Sequence, residues 1–377
     1  MSHAMAIPAR PETVPPDQAA AFTLRFPRRD LAHVRGLDPL GLDGFYAQAP
    51  VRLRHTHDVM TTLRLAVRRG HRHGVDSPGT ALAMLRDVDP LLCRLQRHIP
   101  DLWRYDGLEP LLVECGRVAE HPPRGGNDTY GDHNPQDERA RLFTGTAEER
   151  ALYRGLALGE SRLDDLLDEL AVIATSPLGR PGPAAAADRL TGLWQPMIEA
   201  ARLMRKARVA PVMAVDIAPW VSNVLTIDGQ PYRGPTAAQL PVVLVDWLLW
   251  GCDVDDPRYV EYFLYYFAEQ PWRRRWLVEQ VLAYTEGRSL VTRWEQDADR
   301  IAPRHRAAAR RTRAGLDALL TRMIGFRVSH LRFAKPSLPE REAGERSWGS
   351  GQFDPEMLDR LLGHTERAQA RLRAVSV

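Results

Sequence analysis

Lysine is almost absent from this 377-residue chain, although Lys and Arg together number 51. Lysine occurs only at Lys206 and Lys335, and arginine supplies the rest, a bias that we interpret as genomic rather than functional. The net charge is only +3, and acidic residues are mixed with the arginines along the whole chain. A nucleic-acid-binding protein needs a basic face with interleaved aromatic residues, so the charge pattern argues against that class.

Cysteine and long apolar runs are also scarce. Cys93, Cys115 and Cys252 are too few and too far apart for a disulfide framework or a CxxC metal motif, which favours a reducing, cytoplasmic location. The longest apolar run, at 240–252, contains Asp246 and is too short to span a bilayer. The polar, proline-rich N-terminus lacks the apolar core of a signal peptide. Walker, GxSxG and GxGxxG motifs are missing as well.

Apolar residues recur with the period of an α-helix through most of the chain, and we therefore predict an all-α fold. One helix contains Val59 and Leu63 and ends at Gly70 and Gly74, and the next begins at Pro78. A single long helix is predicted over 146–174, and short extended pieces are expected near 224–233. Further helices are predicted at about 185–208, 238–251, 257–269, 272–286 and 303–334, with a last one near the C-terminus.

Composition predicts two helical parts. Residues 1–20 are expected to be disordered. The segment at 122–139 is rich in Gly, Pro, Asn and Asp, and such long loops are often functional. We place there the boundary between a smaller N-terminal helical subdomain (21–121) and a larger C-terminal helical domain (122–377).

His330 is the most informative residue of the predicted 303–334 helix. Met323, Phe326, Arg327 and Ala334 share its helical face, which is otherwise apolar. One interpretation is a core histidine bonded to a carbonyl, with Arg327 in a salt bridge, because buried polar groups are usually satisfied in this way. The other is a metal or heme ligand, with Arg327 meeting an anion such as a propionate one turn away.

Other histidines give weaker signals. His55 and His57, and likewise His71 and His73, have HxH spacing, but residues two apart on a helix point to different faces and rarely chelate one ion. Exposed histidines are the more economical interpretation. Asp132 and His133, next to Tyr130, have the chemistry of an acid/base pair in a loop, a combination that is common by chance.

The Arg-x-x-His-Leu pattern of Arg327, His330 and Leu331 resembles the indoleamine/tryptophan 2,3-dioxygenase superfamily and, within it, most closely the monodechloroaminopyrrolnitrin synthase family. The segments "DGQPYRGPTAAQLPVVLVDWLLWG" (228–251), "HNPQDERARLFTG" (133–145) and "WGSGQFDPEMLDRLLGHTERAQARLR" (348–373) carry the likeness further. It covers roughly residues 108–373. It implies a two-part helical heme-binding fold like that of indoleamine 2,3-dioxygenase, with heme b held by His330 and a propionate contacted by Arg327.

The resemblance also implies a substrate pocket. Ser350 falls where the synthase places a Ser beside the substrate, between Gly349 and Gly351 in a loop expected to close as a lid. Thr236 and Ala237 fall in the loop on the other side of the heme. Ala151 and Gly155 correspond to pocket-lining positions that carry Phe and Ser in the dioxygenases, which implies a wider and less polar pocket here.

Two positions depart from the family pattern. Leu338 stands where the synthase has a Tyr. Pro219, near Asp216, stands where the dioxygenases have the Arg that binds the substrate carboxylate, and a proline offers no such fork. Another group must therefore meet that carboxylate, or the substrate is not held in that way.

The resemblance implies a heme-dependent oxygenase of secondary metabolism, in antibiotic biosynthesis, which acts on an indole, tryptophan-derived or related aromatic substrate. Dioxygen or peroxide is the oxidant, and an external reductant is a further expected partner. Two alternatives remain open. A heme-binding sensor or carrier would be coloured but inactive with indoles, and a helical interaction protein would stay colourless after heme supplementation.

Overall fold

The computed structural model describes residues 31–48, 53, 55–96, 98–99, 102–209, 224–236, 239–334 and 356–376. The all-α prediction is confirmed, because 72% of the structure is helical and one two-stranded sheet is present among the described residues. The predicted disorder of 1–20 lies outside these residues. No helix among them is both long and apolar enough to cross a membrane.

The N-terminal part is built from short and medium helices. They are α1 (Leu31–Gly36), α2 (Asp43–Tyr46), α3 (Thr56–His73), α4 (Pro78–Gln96), α5 (Leu108–Ala119) and α6 (Asn127–Tyr130). The start at Pro78 and the end at Gly74 are confirmed, but α3 runs through Gly70. Gly70 is buried under Leu111, so it serves close packing against α5 rather than helix termination.

The C-terminal part contains the longer helices and a hairpin. They are α7 (Ala147–Glu160), α8 (Leu163–Thr175), α9 (Pro181–Lys206), β1 (Val224–Ile227), β2 (Gln230–Arg233), α10 (Val242–Leu249), α11 (Pro257–Phe267), α12 (Trp272–Tyr284), α13 (Leu290–Asp297), α14 (Arg306–Ala334) and α15 (Glu356–Ala374). The strands pair antiparallel, with Val224 opposite Arg233, as the expected extended pieces near 224–233.

The prediction of one helix over 146–174 is wrong. The chain leaves helical geometry at Arg162, whose φ is −120° and ψ −3°, and α7 and α8 follow separately. Ser161 Oγ donates to the Leu158 carbonyl at 2.8 Å, a local side-chain bond that competes with helix continuation. The break lets both helices pack on α9.

Buried apolar residues form two clusters. The first gathers residues between Val34 and Ala119, together with Leu225 and Ile227 of the hairpin. The second runs from Tyr130 to Leu372, with Cys93 added from α4. The second cluster begins at Tyr130, inside the predicted boundary segment 122–139, and the hairpin belongs by packing to the first cluster.

Candidate active site

His330 lies near the end of α14, four residues before Ala334. Its ring contacts that of Phe326, one turn earlier, at a centroid distance of 5.7 Å. Phe326 in turn meets Trp194 of α9 edge to face at 5.8 Å. Two long helices thus hold one side of the imidazole in aromatic packing, as the apolar face predicted from the sequence requires.

The imidazole of His330 is neutral at physiological pH. Burial lowers its pKa to about 4, with the nearby Arg327 charge as a second cause. Within the described part of the chain, no hydrogen bond engages either ring nitrogen. A neutral imidazole with an available lone pair on a rigid helix fits the axial ligand of a heme iron.

Arg327 is buried one turn before His330 and is held by two other helices. One terminal nitrogen donates to the Leu361 carbonyl of α15 at 2.7 Å, and the other donates to the Asp246 carboxylate of α10. Its Nε is buried without a hydrogen-bond partner among the described residues. The two bonds use two of the five N–H donors of the guanidinium, and the buried Nε–H is among those that remain for an anion such as a propionate.

Asp246 is the site residue that sequence analysis missed as a functional group. It is buried in the apolar helix α10, where burial raises the carboxyl pKa and Arg327 opposes that rise. Its Oδ1 has no hydrogen-bond partner among the described residues. A lone carboxylate in an apolar run was the available signal, because a buried charge requires a partner.

Helix α15 covers the Arg327 side of α14. His364 stacks on Trp250 at 5.4 Å, and its Nε2 lies 2.9 Å from an Asp256 carboxylate oxygen. Arg360 donates to the same carboxylate at 3.1 Å, and Asp256 also caps α11. These contacts fix the helix that supplies the Leu361 carbonyl.

Thr236 is buried, and its backbone N–H donates to Gln239 Oε1 at 3.1 Å. Gln239 Nε2 donates to Glu269 at 2.9 Å, and Glu269 also forms an ion pair with Arg233. The predicted pocket loop is therefore anchored from its buried side by a polar network.

Ala151 and Gly155 lie on α7, and both contribute to packing. Ala151 is partly buried against the larger apolar cluster. A Cβ added at Gly155 would meet Met204 Cγ of α9 at 2.9 Å and the Ala200 carbonyl at 3.5 Å. Gly155 therefore faces α9, and its predicted role in a substrate pocket stays a prediction.

Six predicted pocket residues lie outside the described residues. They are Ser350, Asp216, Ala237, Leu338, Gly349 and Gly351. Pro219 and the expected lid at 339–352 lie outside them as well. Their predicted roles stay predictions.

All four HxH histidines are exposed, as expected, and two of them make local contacts. His71 Nε2 lies 2.7 Å from the Gly107 carbonyl, and His73 Nδ1 lies 3.1 Å from the Gly74 carbonyl. Across the described ranges, no group of three or more His, Cys, Asp or Glu side chains is arranged to hold a metal ion. A heme iron needs only one such side chain from the protein, because the macrocycle supplies the other four ligands.

A buried acid/base pair joins His121, just before the 122–139 segment, to Asp128 within it. His121 Nε2 lies 2.9 Å from Asp128 Oδ2, and both side chains are buried. Tyr130 instead donates to Glu149 at 2.9 Å. Burial raises the pKa of Asp132 to about 7, and that of Glu160 is also raised by burial.

The family model of monodechloroaminopyrrolnitrin synthase PrnB matches residues 68–375. This match covers most of the chain, and the protein belongs to that family within the indoleamine/tryptophan dioxygenase-like superfamily. Members of the family are heme-dependent oxygenases that act on a tryptophan-derived substrate in pyrrolnitrin biosynthesis. The chain is therefore an oxidoreductase of the oxygenase class.

Proposed function

We propose that this family member is a heme b-dependent oxygenase of an indole or tryptophan-derived substrate in antibiotic biosynthesis, with His330 as the axial ligand. The observation that carries the proposal is the His330 ring itself. It is neutral because its pKa is lowered to about 4, and no hydrogen bond within the described part of the chain occupies its ring nitrogens. Family membership supplies the cofactor that such a ring fits.

The residues around His330 have separable tasks. His330 would offer one ring nitrogen to the heme iron from a helix that Phe326 and Trp194 hold in place. Arg327 brings a positive charge one turn away, and its unpartnered Nε–H is one donor available to a propionate. Asp246 holds that guanidinium in position from α10.

When bound, heme supplies the iron that activates oxygen, while the protein supplies placement and the exclusion of water. The proposed substrate is a flat, electron-rich aromatic, for which the small residue Ala151 on α7 favours a wide pocket, whereas Gly155 packs against Met204 of α9. Ser350 and Thr236 are the proposed polar contacts of the substrate. Dioxygen with an external reductant, or peroxide, is the proposed oxidant.

The first test is the ultraviolet–visible spectrum of wild type and His330→Ala, purified after expression with heme supplied. We expect a strong Soret band in the wild type and its loss or shift in the variant. His305→Ala is the matched control, because His305 lies just before the opposite end of the same helix, where its Nε2 accepts from Arg304 Nε at 3.1 Å. A colourless wild type would exclude heme binding and with it this proposal.

Turnover decides between an oxygenase and a heme binder that does not react. Heme-loaded protein is incubated with tryptophan, chlorinated tryptophans and indole, under dioxygen with reductant and separately with peroxide. Oxygenated products are followed by mass spectrometry. A Soret band that depends on His330 without any oxygenated product from this panel would favour the sensor or carrier.

A further inference from the structure

A surface cleft of about 420 Å³ lies apart from the residues predicted for the heme site. One wall comes from α5, the loop that follows it and the β-hairpin, and the other from the end of α11 and the start of α12. Its volume lies within the range of small-molecule sites, about 300–1,000 Å³. The cleft therefore has the size to hold a ligand of one or two rings.

Two exposed apolar side chains line this cleft. Trp272 is 48% exposed and Val113 is 37% exposed, and they are two of five large hydrophobic side chains that are exposed in the described part of the chain. Trp272 stacks on Trp276 at 6.2 Å with an interplanar angle of 20°, which fixes one face of its ring. Tyr232 lines the cleft as a second aromatic side chain. Such a patch marks a binding surface when it is concave.

Arg275 lines this cleft without an ion pair among the described residues, and the Glu279 carboxylate acts on it only from beyond ion-pair distance. Its neighbours Arg273 and Arg274 form ion pairs with Glu120 and with Asp164, whereas no carboxylate of the described residues lies within ion-pair distance of Arg275. Its Nε is buried without a hydrogen-bond partner among those residues. A partly buried guanidinium in this state favours an added anion.

Other charged residues of the lining are already compensated or solvated. Glu120 lies 2.8 Å from Arg273, and His121 lies 2.9 Å from Asp128. Asp228 is exposed at the turn of the hairpin, where water screens its charge. Arg117, the other guanidinium of the lining, pairs with Glu114 at 2.6 Å. The cleft thus presents aromatic surface and one cationic fork without an ion pair, a combination that suits a flat ring bearing a carboxylate.

We propose that this cleft binds a small aromatic carboxylate, with the ring against Trp272 and Tyr232 and the carboxylate on Arg275. The occupant contacts both walls of the cleft. These walls are already joined where the backbone N–H of Trp272 donates to the backbone carbonyl of Glu120 at 3.0 Å. Binding therefore stabilises the junction between the N-terminal helices and α12. This inference does not depend on the proposed heme chemistry.

The test uses indole-3-propionate and its uncharged amide as probes on the heme-loaded protein. Binding is measured by isothermal titration calorimetry while the Soret band is recorded in parallel. We expect the acid to bind at least about tenfold more tightly than the amide, because a charged hydrogen bond is lost with the amide. Arg275→Gln removes this preference, and Trp272→Gln weakens both probes. Arg300→Gln is the control, because Arg300 is exposed and does not line the cleft.

The outcomes separate the cleft from the heme site. A preference for the acid that vanishes in Arg275→Gln, with an unchanged Soret band, supports the proposal. Binding that perturbs the Soret band and is indifferent to Arg275 places the probe at the heme and overturns it. The absence of binding at about 10 mM, or equal affinity for acid and amide, overturns it as well. None of these measurements requires catalytic turnover, and the calorimetry also measures binding to a protein without heme.

Discussion

Asp246 and Arg327 are two buried charges that the chain separates by 81 positions and the fold brings into contact. Removing one partner of a buried ion pair destabilises a protein more than replacing both partners by apolar residues, because the remaining charge stays buried without its partner. Leu361 compensates only part of the guanidinium, through its carbonyl. The stability of α14 near His330 therefore depends on this pair.

We predict that Asp246→Leu lowers the free energy of unfolding by about 3–5 kcal/mol. Replacing both partners, as in Asp246→Leu/Arg327→Met, leaves no buried charge and restores most of that loss. Urea titration followed by circular dichroism measures both variants.

Asp188→Ala is the control for this cycle, because Asp188 pairs with Arg311 at an exposed site, where the loss is at most about 1 kcal/mol. A double variant as unstable as Asp246→Leu alone would show that the pair is not the reason for the loss. The Soret band of each variant then reports whether heme binding follows stability.

The sequence predicts His330 and Arg327 because both fall on one helical face with 3.6-residue spacing. It does not predict that Arg327 meets Asp246, because periodicity carries no information on which helices become neighbours. The same holds for His121 and Asp128, because composition indicated a polar loop but not which of its side chains would pair. The sequence thus predicts which side chains carry the chemistry, but it does not predict which side chains they contact.

At the scale of elements, the crossing of α9 and α14 supports the candidate heme ligand. Gly315 lies at this crossing, where an added Cβ would meet the Ala187 carbonyl oxygen at 2.5 Å and its Cβ at 2.7 Å. The obstructing atoms belong to the backbone and the first side-chain carbon of α9. The two helices therefore approach as closely as they do only because residue 315 is glycine.

We predict that Gly315→Ala destabilises the protein by about 1–3 kcal/mol, because the helices must separate or the chain must strain. Gly325→Ala is the matched control on the same helix, where nothing lies within 4 Å of an added Cβ. There the higher helix propensity of Ala should raise the free energy of unfolding by up to about 1 kcal/mol. Thermal melts of the two variants should move in opposite directions, and equal shifts would contradict the close-approach argument.

Helix boundaries were predictable where they depend on local chemistry. Pro78 begins α4 and Gly74 ends α3, as their backbone preferences require. The break at Arg162 was missed because the apolar pattern continues across it. Helix α13 was missed too, although Ser289 Oγ accepts from the Thr292 N–H at 3.2 Å as a helix cap.

At the scale of the whole molecule, a buried polar junction joins α1, the 122–139 segment and α12. Arg35 Nε donates to the Asp132 carbonyl at 2.7 Å. Arg274 of α12 donates to Asp164 at 2.7 Å and to Glu160 at 3.2 Å. Sequence analysis marked the segment as a boundary but did not indicate this junction, because its carboxylates come from distant segments and become neighbours only in the fold.

Asp132 makes this junction sensitive to pH. Burial, together with the neighbouring Asp164 and Asp128 charges, raises its pKa to about 7. Arg274 and Arg35 oppose that rise. Between pH 4 and 7 the native carboxyl keeps a proton that the unfolded chain, with a carboxyl pKa of about 3.9, has released. The unfolded state then binds fewer protons, so this carboxyl makes the protein less stable as pH rises. His330, whose pKa is lowered, has the opposite effect below about pH 6.5.

Comparison of wild type with Asp132→Asn isolates this carboxyl, because His330 contributes equally to both proteins. We predict that the variant gains stability relative to wild type by about 1–3 kcal/mol between pH 5 and pH 8. Urea unfolding at a series of pH values measures the difference. Asp137→Asn is the control in the same loop, where the pKa is lowered and the native and unfolded carboxyls are both charged across this range. Parallel stability curves for wild type and Asp132→Asn would mean that Asp132 is ionised in the native protein, and that the junction tolerates its charge at neutral pH.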